Sequence, residues 1–177
     1  KDTIAFIHYA GHGIELTKES LILATNSSVR TEGTAKQAGY PVQSLVEIAD
    51  WAKQGVVSID ACRDNPFKKS ERKRANQRGI GIGMMSKGVG KNAEVGDDVN
   101  AVMLVYSTAE GRKADDGDKV SPFIKSIQQA YKVHPEERIV YFFDYVQKKL
   151  KKISASNQKI ETRIFGETPS FSLSTRS

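Results

Sequence analysis

Three short runs of residues along this chain are predominantly apolar, at 4–9, 56–59 and 101–106, each bounded by Gly or polar clusters. None alternates cleanly between apolar and polar positions, so the runs predict strands buried on both faces of a sheet. A weaker run at 170–173 predicts a further strand. Between the first two runs, Val42, Leu45, Val46, Ala49 and Ala52 recur at helical spacing after Pro41 and stop near Gly55, which predicts an amphipathic helix. Ser121-Pro122 predicts a second helix start, because a Ser cap followed by Pro is favoured there, and Ile124, Ile127, Ala130 and Tyr131 fall on one side. A third helix is expected from about 135 to 153. Strands alternating with helices imply an α/β layer structure with a largely parallel sheet, in which reactive groups gather at the carboxyl ends of the strands. Residues 67–99 differ in kind: Gly79, Gly81, Gly83, Gly88, Gly90 and Gly96 lie among polar residues, and the stretch reads as a long mobile excursion.

Composition narrows the classes. A chain of 177 residues suits one domain that buries roughly two thirds of its unfolded surface. With 38% apolar and 27% charged residues, and no apolar run near the roughly 20 residues of a membrane span, a spanning segment in this stretch is excluded. The single cysteine, Cys62, excludes an internal disulfide framework. The net charge of +6 is mostly local: Lys68, Lys69, Arg72, Lys73, Arg74 and Arg78, with Glu71, contribute +5 of it. That stretch lacks the aromatic or glycine interleaving of a nucleic-acid surface, so neither nucleic acid nor membrane is an expected partner. The chain opens at Lys1 and goes directly into a strand, so we expect an N-terminal remainder of the same protein to precede it.

Two strand ends carry unusual residues. The first run leads into Tyr9-Ala10-Gly11-His12-Gly13, and the second into Asp60-Ala61-Cys62-Arg63-Asp64-Asn65-Pro66. A thiolate nucleophile needs an imidazole within reach of its proton, and strand ends in an α/β sheet bring distant segments together. Glycines beside the histidine would let a substrate backbone approach and would present a main-chain N–H to an oxyanion. Alone, each residue has a plainer reading: a lone cysteine is more often a small buried apolar group, and a histidine between glycines is as often a turn residue. One cysteine and three histidines without short-range pairs match no zinc spacing, so no metal site is expected.

Together the blocks resemble the caspase-like cysteine peptidases, the clan of caspases, paracaspases and metacaspases in peptidase family C14. A histidine 50 positions before the cysteine fits the caspase spacing. The sequence is most similar to the prokaryotic metacaspase-like group in Tyr9-Ala10-Gly11-His12-Gly13, Asp60-Ala61-Cys62-Arg63 with Asn65-Pro66-Phe67, Thr108-Ala109-Glu110-Gly111 with Ala114-Asp115-Asp116-Gly117, and Ser121-Pro122-Phe123. The resemblance spans essentially the whole chain. It implies a caspase-like three-layer α/β/α sandwich that lacks its N-terminal strands here. It also implies one peptidase domain over 1–177: a large-subunit part at about 1–67, a basic and Gly-rich linker at about 68–99, and a small-subunit part at about 100–177.

The resemblance further implies a cysteine endopeptidase with Cys62 as nucleophile, His12 as its base or imidazolium partner, and an oxyanion hole from the N–H groups of Gly13 and Cys62. Where animal caspases carry Gln two residues before the cysteine, this chain has Asp60, which in metacaspases lies in the S1 pocket. Asp115 or Asp116 matches a second S1 aspartate, the two being equivalent on sequence. Paired carboxylates suit a guanidinium and repel an acidic residue, so protein substrates with Arg or Lys at P1 are expected. Lys69, Arg72, Lys73, Arg74 and Arg78 are then candidate autocleavage sites. The sequence departs from the group at 21–26 and lacks the usual proline at Ile160. No cofactor is required by this chemistry. Asp97, Asp98, Asp115, Asp116 and Asp118 are oxygen donors of the type Ca2+ takes, without the ordered loop of an EF-hand. A thiol nucleophile favours a reducing compartment, so a cytoplasmic location is expected. The alternative function is a non-catalytic caspase-like module that works through protein contacts.

Overall fold

The computed structural model describes residues 3–17, 19–23, 29–67, 100–109, 111–114, 120–155 and 158–174. Six strands form one sheet: β1 (Ile4–Glu15), β2 (Ser20–Leu23), β3 (Gly39–Pro41), β4 (Gln54–Ala61), β5 (Ala101–Tyr106) and β6 (Glu161–Phe165). Their spatial order is β3-β2-β1-β4-β5-β6. The expected parallel sheet is its centre, where β1, β4 and β5 run parallel, and the pairings on both flanks are antiparallel. Four helices accompany it among the described residues: α1 (Glu32–Ala38), α2 (Val42–Ala49), α3 (Pro122–Val133) and α4 (Ile139–Ile153).

Burial on both faces explains why the central strands read as continuous apolar runs. Along β4, Val57, Ile59 and Ala61 meet Val42, Val46 and Ala49 of α2 on one face. On the other face, Val56 with Met103 and Val105 of β5 packs under Phe123 and Ala130 of α3 and Phe142, Phe143, Val146 and Leu150 of α4. Each large apolar side chain buried this way stabilises the fold by about 1.5–3 kcal/mol. Three layers result, as the family resemblance implies. The approach of α2 is close: a Cβ on Gly55 would come within 3.0 Å of Ala49 Cβ and its carbonyl oxygen. Helix α3 starts as expected, with the Ser121 hydroxyl accepting from Ile124 N–H at 3.1 Å and Pro in the first turn.

Some elements differ from the sequence expectation. The run at 170–173 makes only an isolated bridge, Arg138 to Ser172, because its main-chain groups are engaged elsewhere. Ser170 N–H donates to the Gln54 side chain at 2.6 Å, and the Phe171 carbonyl accepts from Ile139 N–H at 2.8 Å. The sixth strand lies at Glu161–Phe165 instead. Strand β1 continues through the Gly-His-Gly block to Glu15, held extended by partners on both sides. Helix α4 begins at Ile139 rather than near 135. The glycine-rich stretch 68–99 lies outside the described residues. No described helix is long and apolar enough to cross a membrane.

Candidate active site

The parallel ladder between β1 and β4 runs from Ile4 opposite Gln54 to Gly11 opposite Ala61. His12 and Gly13 therefore emerge alongside the start of the Cys62 segment, and contact resumes where Glu15 N–H donates to the Asp64 carbonyl at 3.3 Å. On its other edge β1 pairs with β2, His12 opposite Leu23 and Gly13 opposite Ile22. Gly13 lies directly against the nucleophile candidate: a Cβ there would come within 2.6 Å of the Cys62 carbonyl oxygen and 2.9 Å of Ala61 Cβ. Only glycine permits that approach. Cys62 is partly exposed and His12 exposed.

Tyr9 supports the histidine from the same strand. Its hydroxyl lies 3.0 Å from the His12 carbonyl and 2.7 Å from that of Leu23, and burial pushes the phenol up in pKa, keeping it a donor. The ring passes over Gly11, where a Cβ would come within 2.6 Å of Tyr9 Oη.

The Cys62 segment is anchored by its next residue, Arg63, which in the sequence is no more than one letter of a motif. Arg63 is 2% exposed. Its Nε donates to Glu15 Oε2 at 2.9 Å and its Nη1 to Glu161 Oε2 at 2.8 Å. Its guanidinium stacks 3.8 Å from the centre of the Tyr106 ring. Glu15 also accepts from the Ser20 hydroxyl at 2.7 Å, and Glu161 from Arg163 at 2.8 Å. The Arg63 main chain is held as well, its N–H donating to the Arg112 carbonyl at 2.9 Å and its carbonyl accepting from Gly111 N–H at 2.7 Å. One buried cation thus ties the Cys62 segment to β1, β6 and the loop after β5. Downstream, the Asn65 side chain accepts from Phe67 N–H at 2.9 Å, the closed turn that an Asn-Pro pair favours.

This cluster carries a pH dependence. Partial burial alone would raise the Glu161 carboxyl, but the hydrogen bonds and charges of Arg163 and Arg63 outweigh it and hold the group below the ordinary glutamate value. A carboxylate depressed in the folded state contributes stability that is complete above its unfolded pKa and lost as pH falls through the folded one. Urea unfolding of wild type and Glu161→Gln is therefore expected to show a constant gap above about pH 5 that narrows below about pH 4. A gap that stays flat in acid would contradict the assignment.

Asp60 is 6% exposed, and its carboxylate accepts from the hydroxyl of Ser121, the cap of α3. On the same face, His8 Nδ1 lies 3.2 Å from Ser58 Oγ, and its pKa is lowered by burial against the opposing pull of the Asp60 charge. The remaining sequence candidates, Asp115 and Asp116 for S1 and Lys69, Arg72, Lys73, Arg74 and Arg78 for autocleavage, lie outside the described residues, as do Asp97, Asp98 and Asp118. Among the described residues no group of three His, Cys, Asp or Glu is placed to hold a metal ion.

The sheet with helices on both faces, and a histidine strand laid against a cysteine segment, define a caspase-type α/β protein. The family model for the caspase domain, peptidase family C14, matches residues 1–176, and the chain belongs to that family. Its fold is similar to that of a Geobacter sulfurreducens protein of solved crystal structure, with a TM-score of 0.58, 14% identity, and 98% of this chain and 73% of that one covered. It is similar also to caspase-1 from Spodoptera frugiperda, with a TM-score of 0.55, 14% identity, and 95% of this chain and 61% of that one covered. No curated protein matches the chain in sequence.

Proposed function

We propose that this chain is a cysteine endopeptidase that cleaves after Arg or Lys through a dyad of Cys62 and His12. The observation that supports the reading is the strand pairing of a caspase-family chain that brings Gly13, the neighbour of His12, against the main chain of Cys62. The Cys62 thiolate attacks the scissile carbonyl carbon, and the N–H groups of Cys62 and Gly13 hold the resulting oxyanion. His12 passes a proton to the leaving amine as the C–N bond breaks, which leaves a thioester. Water then attacks the thioester, His12 taking the water's proton, and expulsion of the thiolate releases the acid and restores Cys62. The dyad needs no cofactor for these steps, and calcium enters at most as a regulator. Asp60 supplies S1 with a nearly buried carboxylate that a guanidinium can meet, with Asp115 or Asp116 as its second.

Self-processing fits the same preference, because the basic stretch 68–78 begins six residues after the nucleophile. Cleavage there would divide a large-subunit part ending near 67 from a small-subunit part beginning near 100. The proposed N-terminal remainder has a surface to meet on β1, where Ile4 and Phe6 are 46% and 48% exposed on the face that α3 and α4 leave open. The reading also implies a reducing, cytoplasmic setting.

Reporter peptides differing only at P1 test the specificity. Cleavage after Arg and Lys is expected to exceed cleavage after Asp by at least about 100-fold, the scale of placing an unpaired charge in a buried site. Faster cleavage after Asp would overturn it. Mixing active protein with its Cys62→Ala form and mapping fragments by mass spectrometry should find cuts at Lys69, Arg72, Lys73, Arg74 or Arg78. An intact stretch would remove self-processing.

A further inference from the structure

Successive side chains of β4 point to opposite faces of the sheet, so Asp60 falls on the side of Val56, which α3 and α4 cover, and away from Val57, Ile59 and Ala61, which meet α2. On that side Ser58 Oγ lies 3.2 Å from His8 Nδ1, and the hydrogen-bond donor that meets Asp60 among the described residues is the Ser121 hydroxyl. A hydroxyl has one proton to give and two lone pairs to receive. Ser121 Oγ receives from Ile124 N–H at 3.1 Å as the cap of α3, so its single proton is left for Asp60 Oδ2.

That cap is itself fixed. Pro122 and Phe123, the next two residues, are buried, Phe123 completely, and the Ser126 hydroxyl donates to the Pro122 carbonyl at 2.7 Å. A charge-assisted bond from an anchored donor holds a carboxylate in one rotamer. Ser121 and Asp60 are 61 positions apart, on opposite sides of the basic stretch 68–78. On the proposed division, one end of the bond therefore belongs to the large-subunit part and the other to the small-subunit part.

Given the basic P1 preference proposed above, on which this inference depends, we infer that Ser121 is a positioning residue of S1: its hydroxyl sets the direction in which Asp60 presents its charge to the P1 cation. Ser121 acts on recognition of the basic side chain and takes no part in the thioester steps. Specificity then requires α3 to be docked on the sheet, a requirement that persists after self-cleavage.

The test uses the whole chain and two reporter peptides that differ only at P1, Arg against citrulline, which keeps the shape and lacks the charge. Wild type is expected to favour Arg. Ser121→Gly removes the hydroxyl while glycine still serves at a helix cap, and it should lower the Arg-over-citrulline ratio of kcat/KM by at least about tenfold, with the loss falling on KM. Ser121→Ala should do the same, and Ser121→Thr, which keeps a hydroxyl, should keep the wild-type ratio. In an Asp60→Asn background, Ser121→Gly should change the ratio by less than about twofold. A wild type that favours Arg while both hydroxyl-free variants keep its ratio would overturn the positioning role alone. A wild type indifferent to the exchange, or unable to cleave either reporter, would overturn the basic P1 preference and this proposal with it. Unfolding of both hydroxyl-free variants, or a loss shared equally by the two reporters, would make Ser121 a cap of α3 only and would overturn the proposal as well.

Discussion

Cys62→Ala is expected to lower hydrolysis of an Arg-P1 reporter to near the uncatalysed rate. In peptidases that work through a nucleophile and a base, loss of either costs on the order of 10⁶-fold in kcat, and loss of both costs little more. His12→Ala should therefore match Cys62→Ala, and the double variant should resemble either single one. The strand geometry bears on why. His12 is the residue of β1 next in line after the ladder closes at Gly11 opposite Ala61, and Cys62 is the first residue after the end of β4. Turnover by the Cys62→Ala protein within tenfold of wild type would reject the dyad. A wild-type protein with no turnover on any basic peptide, yet stable binding to a protein partner, would favour the non-catalytic module.

Arg63→Met is expected to destabilise the fold by about 3–5 kcal/mol, the scale of removing one partner from a buried ionic group. The cost arises less from the lost attraction than from Glu15, whose side chain is 11% exposed and would be left with only the Ser20 hydroxyl as a described partner. For a domain of this size the midpoint of thermal unfolding should fall by roughly 6–20 °C. The pair Arg63→Met with Glu15→Gln should recover a substantial part of the loss, because no unpaired charge remains. A loss below about 1 kcal/mol for Arg63→Met would show that the cluster is dispensable.

The parts legible in the sequence are those encoded by neighbours. The central strands announce themselves because burial on both faces demands unbroken apolar runs, and α3 because Ser121 and Pro122 form its first turn locally. The candidate dyad is legible for the same reason, each member lying in a compact block. By contrast, the apolar pattern of β1 stops short of its true end, since Gly-His-Gly resembles a turn until β4 and β2 are present to hold it extended. Helix α1 offers only Ala35 to the core and caps itself with Thr31 and Thr34, too slight a pattern to notice. Strand β6 reads Glu-Thr-Arg-Ile-Phe and owes its place to pairing with β5. The Arg63 cluster joins residues 48 and 98 positions apart, which no local spacing could signal.

Parallel pairing of β1 with β4 has a consequence for when activity can arise. Pairing positions fifty residues apart incurs a loop-closure cost before any contact repays it, so such pairs form slowly compared with local turns. A chain still emerging from the ribosome holds its imidazole long before it holds a thiol to partner it. Under the proposed dyad, catalytic competence is a property of the assembled tertiary structure, and its recovery during refolding would report the moment at which the two halves of the sheet meet.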